Sequence, residues 1–283
     1  MSVPRRKLGS ANRSQDSTIG LFLRERRSGL GALLVVVGAI FFGSMLWFRL
    51  EEGVQSGSSY VLEADTVQLR GVAPWVHSDL KTEALRSASL DRRLPLNDPE
   101  LARRLARAFD MHPWVKRVVD VRLLHPAGAT VEIVCREPVA MVRVKDGLFA
   151  VDAEGVVLPS ADFSAESAAE YPRISGVQSS PQGPEGSPWG DGIVEEGAAL
   201  AVAIGPEWKG LNLEECRTTN EHGTRMWELI GPEGRVILFG SAPGREVSGE
   251  PFAAVKIARL KNLAEDSSPP LRIDLSRPTP TRP

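Results

Sequence analysis

From Ser28 to Phe48 the chain carries no charged residue, reading SGLGALLVVVGAIFFGSMLWF. At 1.5 Å per residue, an apolar helix of about 20 residues spans a bilayer core. The run therefore predicts a single N-terminal transmembrane helix over residues 28–48. A cleaved signal peptide is the main rival. Such a peptide has a shorter apolar region ending in small residues, whereas this run ends on the bulky Met45-Leu46-Trp47-Phe48. Arg24, Arg26 and Arg27 precede the run, and Glu51 and Glu52 follow it beyond Arg49. The positive-inside rule then places the N-terminus in the cytoplasm and the rest outside, a single-pass type II topology in the cytoplasmic (inner) membrane. Residues 1–27 are polar, rich in Ser and Arg, and without apolar periodicity, so they are expected to be a disordered cytoplasmic tail.

The remaining length is enough for one or two ordinary cores, since 42% of the 283 residues are apolar. The net charge of −2 carries no polybasic signature for nucleic acid. Cys135 and Cys216 are far apart and form no CxxC, so zinc-type spacing is absent. Sequence alone cannot bring the two thiols within bridging distance, and whether they are bonded stays open.

Residues 51–59 form a Gly/Ser-rich spacer, and folded patterns start after it. Val67 and Leu69 alternate with polar residues up to Gly71, which predicts a short strand. Ser78 is placed to cap a helix through Leu80, Ala84 and Leu85. Asp98-Pro99-Glu100 reads as a second helix start. Leu101, Leu105, Ala108 and Phe109 then share one face, while Arg103, Arg104 and Arg107 lie opposite on a solvated one. Two strands follow, Val115 to Leu124 and Thr130 to Arg136, around a Pro126-Ala127-Gly128 turn. The order strand, helix, helix, strand, strand predicts an α+β domain.

The stretches VQLRGV and DPELARRLARAFDMHPWVKRVVDVRLLHPAGATVEIVCREPVAMV resemble the POTRA domain of the bacterial cell-division family FtsQ/DivIB. Most specific are His112-Pro113-Trp114-Val115 leading into a strand and Arg136-Glu137-Pro138-Val139-Ala140 closing the domain. The family's usual order in that second motif is Glu-Arg before the proline, so Arg-Glu here is a departure. Val151-Asp152-Ala153-Glu154-Gly155-Val156 fits the family's next strand. Trp114 is expected to be a buried anchor, and Pro138 a strand-end residue.

The second region, residues 139–276, is expected to be mostly β with a few helices. Lys145-Asp146-Gly147 predicts a tight hairpin turn, and residues 178–192 an irregular loop. Glu195 to Ile204 suggests a short alanine-rich helix, Met226 to Leu229 and Arg235 to Gly240 a hairpin, and Phe252 to Ala264 a helix. Leu271 to Leu275 predicts a last strand. The domain map is thus a tail at 1–27, a membrane helix at 28–48, a POTRA-like domain at 60–138, a β-rich domain at 139–276, and a proline-rich disordered tail at 277–283.

No HExxH, P-loop, GxSxG or SxxK occurs, and the expectation is a non-enzyme without cofactor, metal or small-molecule substrate. Asp152 and Glu154 flank a turn that they are expected to cap. The resemblance implies a divisome scaffold at the septum whose partners are other division membrane proteins, among them FtsB/FtsL-like bitopic coiled-coil proteins. In that family a further strand often follows the last one and receives a partner's strand. Here Pro278, Pro280 and Pro283 make the tail a poor strand. Leu271, Ile273 and Leu275 are therefore the expected partner-binding edge. Two rival readings are a POTRA-bearing secretion or envelope-assembly factor, set against by the single copy, and a membrane-anchored periplasmic enzyme, set against by the missing nucleophile–base set.

Overall fold

Alternating apolar residues and turn chemistry divide the described residues into short strands, five longer helices and one helical turn. The computed structural model describes residues 35–47, 61–221, 224–264 and 270–278. Two units contain them, Met1–Tyr60 and Val61–Pro283.

In the first unit the described residues form one helix, α1 (residues 35–47). That helix corrects the expected membrane span. Among the described residues no helix is long and apolar enough to cross a membrane. An uncharged run records hydropathy, whereas crossing a bilayer also needs a continuous helix of sufficient length. The inner-membrane, single-pass placement with a cytoplasmic N-terminus rested on that span and is withdrawn with it. The expected disordered tail at 1–27, the spacer at 51–59, and residues 28–34 and 48 lie outside the described residues.

The second unit is α+β and mostly β in its larger part. It opens with β1 (Val61–Leu62), β2 (Val67–Arg70), α2 (Leu80–Ser87), β3 (Leu94–Pro95), α3 (Leu101–Asp110), β4 (Val115–Leu124) and β5 (Gly128–Cys135). β1 pairs with β3, and a three-stranded sheet runs in the order β2-β5-β4. The apolar faces of α2 and α3 are buried through Leu80, Ala84 and Leu85, and through Leu101, Leu105, Ala108 and Phe109. The cap of α2 is Asp79 rather than Ser78. Its carboxylate accepts the Thr82 N–H, which holds it below the usual aspartate range. The Ser78 hydroxyl instead donates to Asp162 at 3.1 Å. Asp98 accepts the Glu100 N–H at 2.9 Å, so Pro99 and Glu100 form a turn ahead of α3 and the helix starts at Leu101. On the far face, Arg104 pairs with Asp98 at 2.9 Å and Arg103 with Glu100.

The chain continues through β6 (Pro138–Val144), β7 (Gly147–Asp152), a helical turn α4 (Ala165–Ala168), β8 (Arg173–Ser175), α5 (Gly192–Trp208), β9 (Glu215–Glu221), β10 (Thr224–Ile230), β11 (Val236–Gly240), α6 (Ala253–Ala264) and β12 (Arg272–Asp274). Seven strands form one sheet in the order β12-β11-β10-β9-β8-β6-β7. Two elements differ from expectation. The short alanine helix is a 17-residue helix whose Val194, Ala198, Ala201, Ile204 and Trp208 are buried, with Asp191 accepting the Ile193 N–H at its start. Gly197 has no side chain where Ile174 and Trp227 close onto the helix; an added Cβ would lie 2.9 Å from both. β9 had no clear signature, because ECRTTNE lacks apolar alternation. It forms because β8 and β10 offer ladders on both sides.

Two apolar clusters make up the core. One surrounds Trp189, Trp227 and Phe239 within the large sheet. The other surrounds Phe109 and Trp114 and takes in Met141, Ala150, Leu158 and Ala168 from beyond residue 138.

Candidate functional site

β12 ends the seven-stranded sheet and pairs in parallel with β11, Ile237 opposite Ile273. Of the three residues expected at the partner edge, Leu271 is 58% exposed, Ile273 is half-buried against the core, and Leu275 is 1% exposed. Their apolar side chains thus range from solvent to full burial. A partner strand, however, reads the backbone. The Val236 N–H donates to the Leu271 carbonyl and the Leu275 N–H to the Leu238 carbonyl, both at 2.8 Å. In that ladder Ile273 turns both backbone groups toward β11, and Arg272 and Asp274 turn theirs outward.

Part of this outer edge is already occupied. The Arg259 guanidinium on α6 donates to the carbonyls of Asp274 at 3.1 Å and Arg277 at 2.8 Å. Asp274 also accepts the Ser276 N–H at 2.9 Å, which turns the chain away from the strand direction. The sequence reading had no sign of this latch, because Arg259 acts on backbone atoms that only the fold brings within reach. Of the tail expected at 277–283, Arg277 and Pro278 are described and residues 279–283 lie outside the described residues.

Beneath the edge lies a buried ion pair. Lys256 Nζ donates to Glu250 Oε1 at 2.9 Å and to the Ser241 carbonyl at 3.0 Å. It also sits 4.3 Å from the centre of the Phe239 ring. The two charged side chains are 0% and 2% exposed. Glu250 further accepts the N–H groups of Ser241 at 2.8 Å and Val247 at 3.1 Å, so its carboxylate has three donors. Gly240, at φ 88°, closes β11 against this carboxylate, and any side chain there would collide with Glu250. One sequence signal existed. Ala253, Lys256, Ile257 and Leu260 fall on one helical stripe, and a lysine within an apolar stripe implies a buried partner.

Burial alone would push the Glu250 carboxyl up. The donors from Lys256, Ser241 and Val247 outweigh it and hold the carboxyl below the usual glutamate range. A lowered folded value contributes stability that is complete above the unfolded value and lost as pH falls through the lowered one. Amide protection of residues 241–253 is therefore expected to be flat from neutral pH down to about 5 and to fall below about 4.3. Hydrogen exchange followed by mass spectrometry against pH checks this, and Glu250→Gln should reduce that dependence to the part contributed by Glu246, whose carboxyl the Ala253 N–H also helps to hold low.

The other sequence-selected residues are structural. Asp152 accepts the N–H groups of Glu154 and Val156, both at 2.9 Å, and receives Arg136 at 2.7 Å. Glu154 pairs with Lys116 at 2.7 Å, which lowers its carboxyl. Trp114 is fully buried, and its ring N–H donates to Asp162 at 2.6 Å. Cys135 and Cys216 are free thiols, both pushed up by burial. A groove of about 530 Å³ runs past Cys135, Pro138, Tyr171 and Val202. No group of three His, Cys, Asp or Glu among the described residues is placed to hold a metal.

What this arrangement offers is a short strand edge with outward backbone groups, held from behind by an arginine. No known family model and no curated protein matches this chain.

Proposed function

We propose that this chain is a cell-division scaffold of the FtsQ/DivIB type, which captures FtsB/FtsL-like partners by strand addition at β12. The observation that carries the reading is the position of β12 at the end of the seven-stranded sheet, with Arg272 and part of Asp274 turned outward. Supporting it is the order β2-α2-β3-α3-β4-β5, which apart from the two-residue β3 is the strand, helix, helix, strand, strand order that the residue pattern predicts. Trp114 is buried as an anchor, whereas Pro138, expected to end a strand, is the first residue of β6. The reading assigns the protein binding and no catalysis.

Strand addition uses main-chain hydrogen bonds for affinity and the neighbouring side chains for selectivity. Proline at position 272 removes an outward N–H and leaves the β11 ladder intact. Proline at 273 would break the ladder itself and confuse the two effects. Arg272→Pro is expected to weaken partner capture about tenfold, the scale of one or two lost hydrogen bonds. Calorimetric titration with an FtsB/FtsL-like complex, alongside a thermal melt, measures this. Unchanged affinity in a folded variant would remove β12 as the site.

Localisation tests the broader reading. A fluorescent fusion in dividing bacteria should give a septal band that depends on residues 61–278. Even fluorescence throughout the cell cycle would overturn the division role.

A further inference from the structure

We propose that β4 is a self-association edge, through which two copies of this chain join their three-stranded sheets across a twofold axis at Val121. The inference is independent of the division role and of the β12 site.

β4 is the outer strand of its sheet. It is ten residues long, and long exposed edges invite pairing unless they are blunted. Its first half is blunted. Register shifts fall between Val115 and Arg117 and between Val118 and Asp120, and such bulges terminate pairing. From Asp120 to Leu124 the register is regular, with each residue opposite one residue of β5.

Backbone direction follows from the ladder. The Arg136 N–H donates to the Trp114 carbonyl at 2.8 Å, so the even-numbered residues of β5 face β4. Thr130 and Glu132 are therefore bonded across to Arg122 and Asp120. That leaves Val121 and Leu123 with their N–H and C=O groups directed away from the sheet.

A second copy fits this edge through its charges. Antiparallel pairing about Val121 sets Val121 against its own counterpart as a hydrogen-bonded pair. It sets Asp120 against Arg122 of the other copy, and Arg122 against Asp120, as two close non-bonded pairs. It also sets Leu124 near Val118. An isologous contact repeats each pair by symmetry, so one favourable pairing counts twice. Asp120 and Arg122 already pair within one strand at 2.5 Å, with 38% and 74% of their side chains exposed, and the four charges would form one alternating cluster. Shifting the axis to Asp120 would set that aspartate against itself. Shifting it to Val119 would set Lys116 against Arg122. Charge thus selects the Val121 axis.

Sedimentation velocity of the full chain over a concentration series tests the proposal. The wild type should show a monomer–dimer equilibrium. Asp120→Arg puts arginines opposite arginines twice and should weaken dimerisation about tenfold or more. The double variant Asp120→Arg/Arg122→Asp reverses both signs and should restore the wild-type constant. The Arg122 side chain is largely in solvent and that of Asp120 partly so, and circular dichroism melts check that the variants fold. A wild type that stays monomeric overturns the proposal. So does association that Asp120→Arg leaves unchanged, or a double variant no stronger than the single one. Association only with an extended segment of another protein would likewise reject the second copy as the occupant.

Discussion

Replacing Lys256 with alanine is expected to cost about 3–5 kcal/mol of folding stability, the scale for removing one partner of a buried ion pair. The cost has two sources. The Glu250 carboxylate, 2% exposed, loses its charged donor, and the Ser241 carbonyl loses the Lys256 bond. The aliphatic stem that covers Phe239 goes as well. Lys256→Met keeps most of that volume, so it isolates the electrostatic part. Combining Lys256→Met with Glu250→Gln should recover part of the loss, because the one amide oxygen at 250 can still accept either the Ser241 or the Val247 N–H, which in the wild type reach different carboxylate oxygens. Urea denaturation of the single and double variants gives the coupling directly. A loss under about 1 kcal/mol for Lys256→Ala would mean that the pair does not stabilise the fold, since that is the range of exposed pairs. The consequence reaches the candidate edge. The pair ties the 241–250 turn to α6, and α6 carries the arginine that latches the backbone after β12.

Trp114→Ala should be comparably severe, at about 3–5 kcal/mol for deleting a fully buried indole. Its ring N–H bond to Asp162 is lost too, leaving that carboxylate with the Ser78 hydroxyl. Trp114→Phe separates the two losses. Most of the ring volume stays and the charged acceptor keeps the Ser78 hydroxyl but loses the indole N–H, for an expected loss of about 1.5–3 kcal/mol. The same contact crosses the boundary drawn at residue 138, since Asp162, Phe163 and Tyr171 belong to the later sequence and line up with Trp114 through ring contacts. Residues 61–278 should therefore unfold in one transition, with Trp114→Ala moving circular dichroism and fluorescence midpoints together. Two separated transitions in the wild type would show that the contact does not couple the regions.

Where a pattern was local, the sequence was enough to read it. The stripe Leu101, Leu105, Ala108 and Phe109 buries as its spacing requires. Lys145-Asp146 turns β6 into β7, and the strand pair around Pro232-Glu233-Gly234 is β10 and β11. α6 and the last strand fall within a residue or so of their expected limits. β9 escaped notice because its residues alone do not favour a strand; two neighbouring ladders do. The expected membrane helix failed for a different reason. Absence of charge measures apolarity, and among the described residues no helix is long and apolar enough to cross a membrane.

At the candidate edge the division runs the same way. Leu271 to Leu275 could be recognised as a strand, since alternation and turn residues act over a few neighbours. Which amides face outward depends on the register against β11, thirty-odd residues earlier in the chain. The burial of Lys256 beside Glu250, the Arg259 latch, and the free edge of β4 are likewise set by contacts between segments far apart in sequence. Periodicity, caps and turns are local properties of an amino-acid order, and this sequence determined them; strand order, register and the pairing of buried charge are properties of the assembled core, and only the tertiary structure decided them.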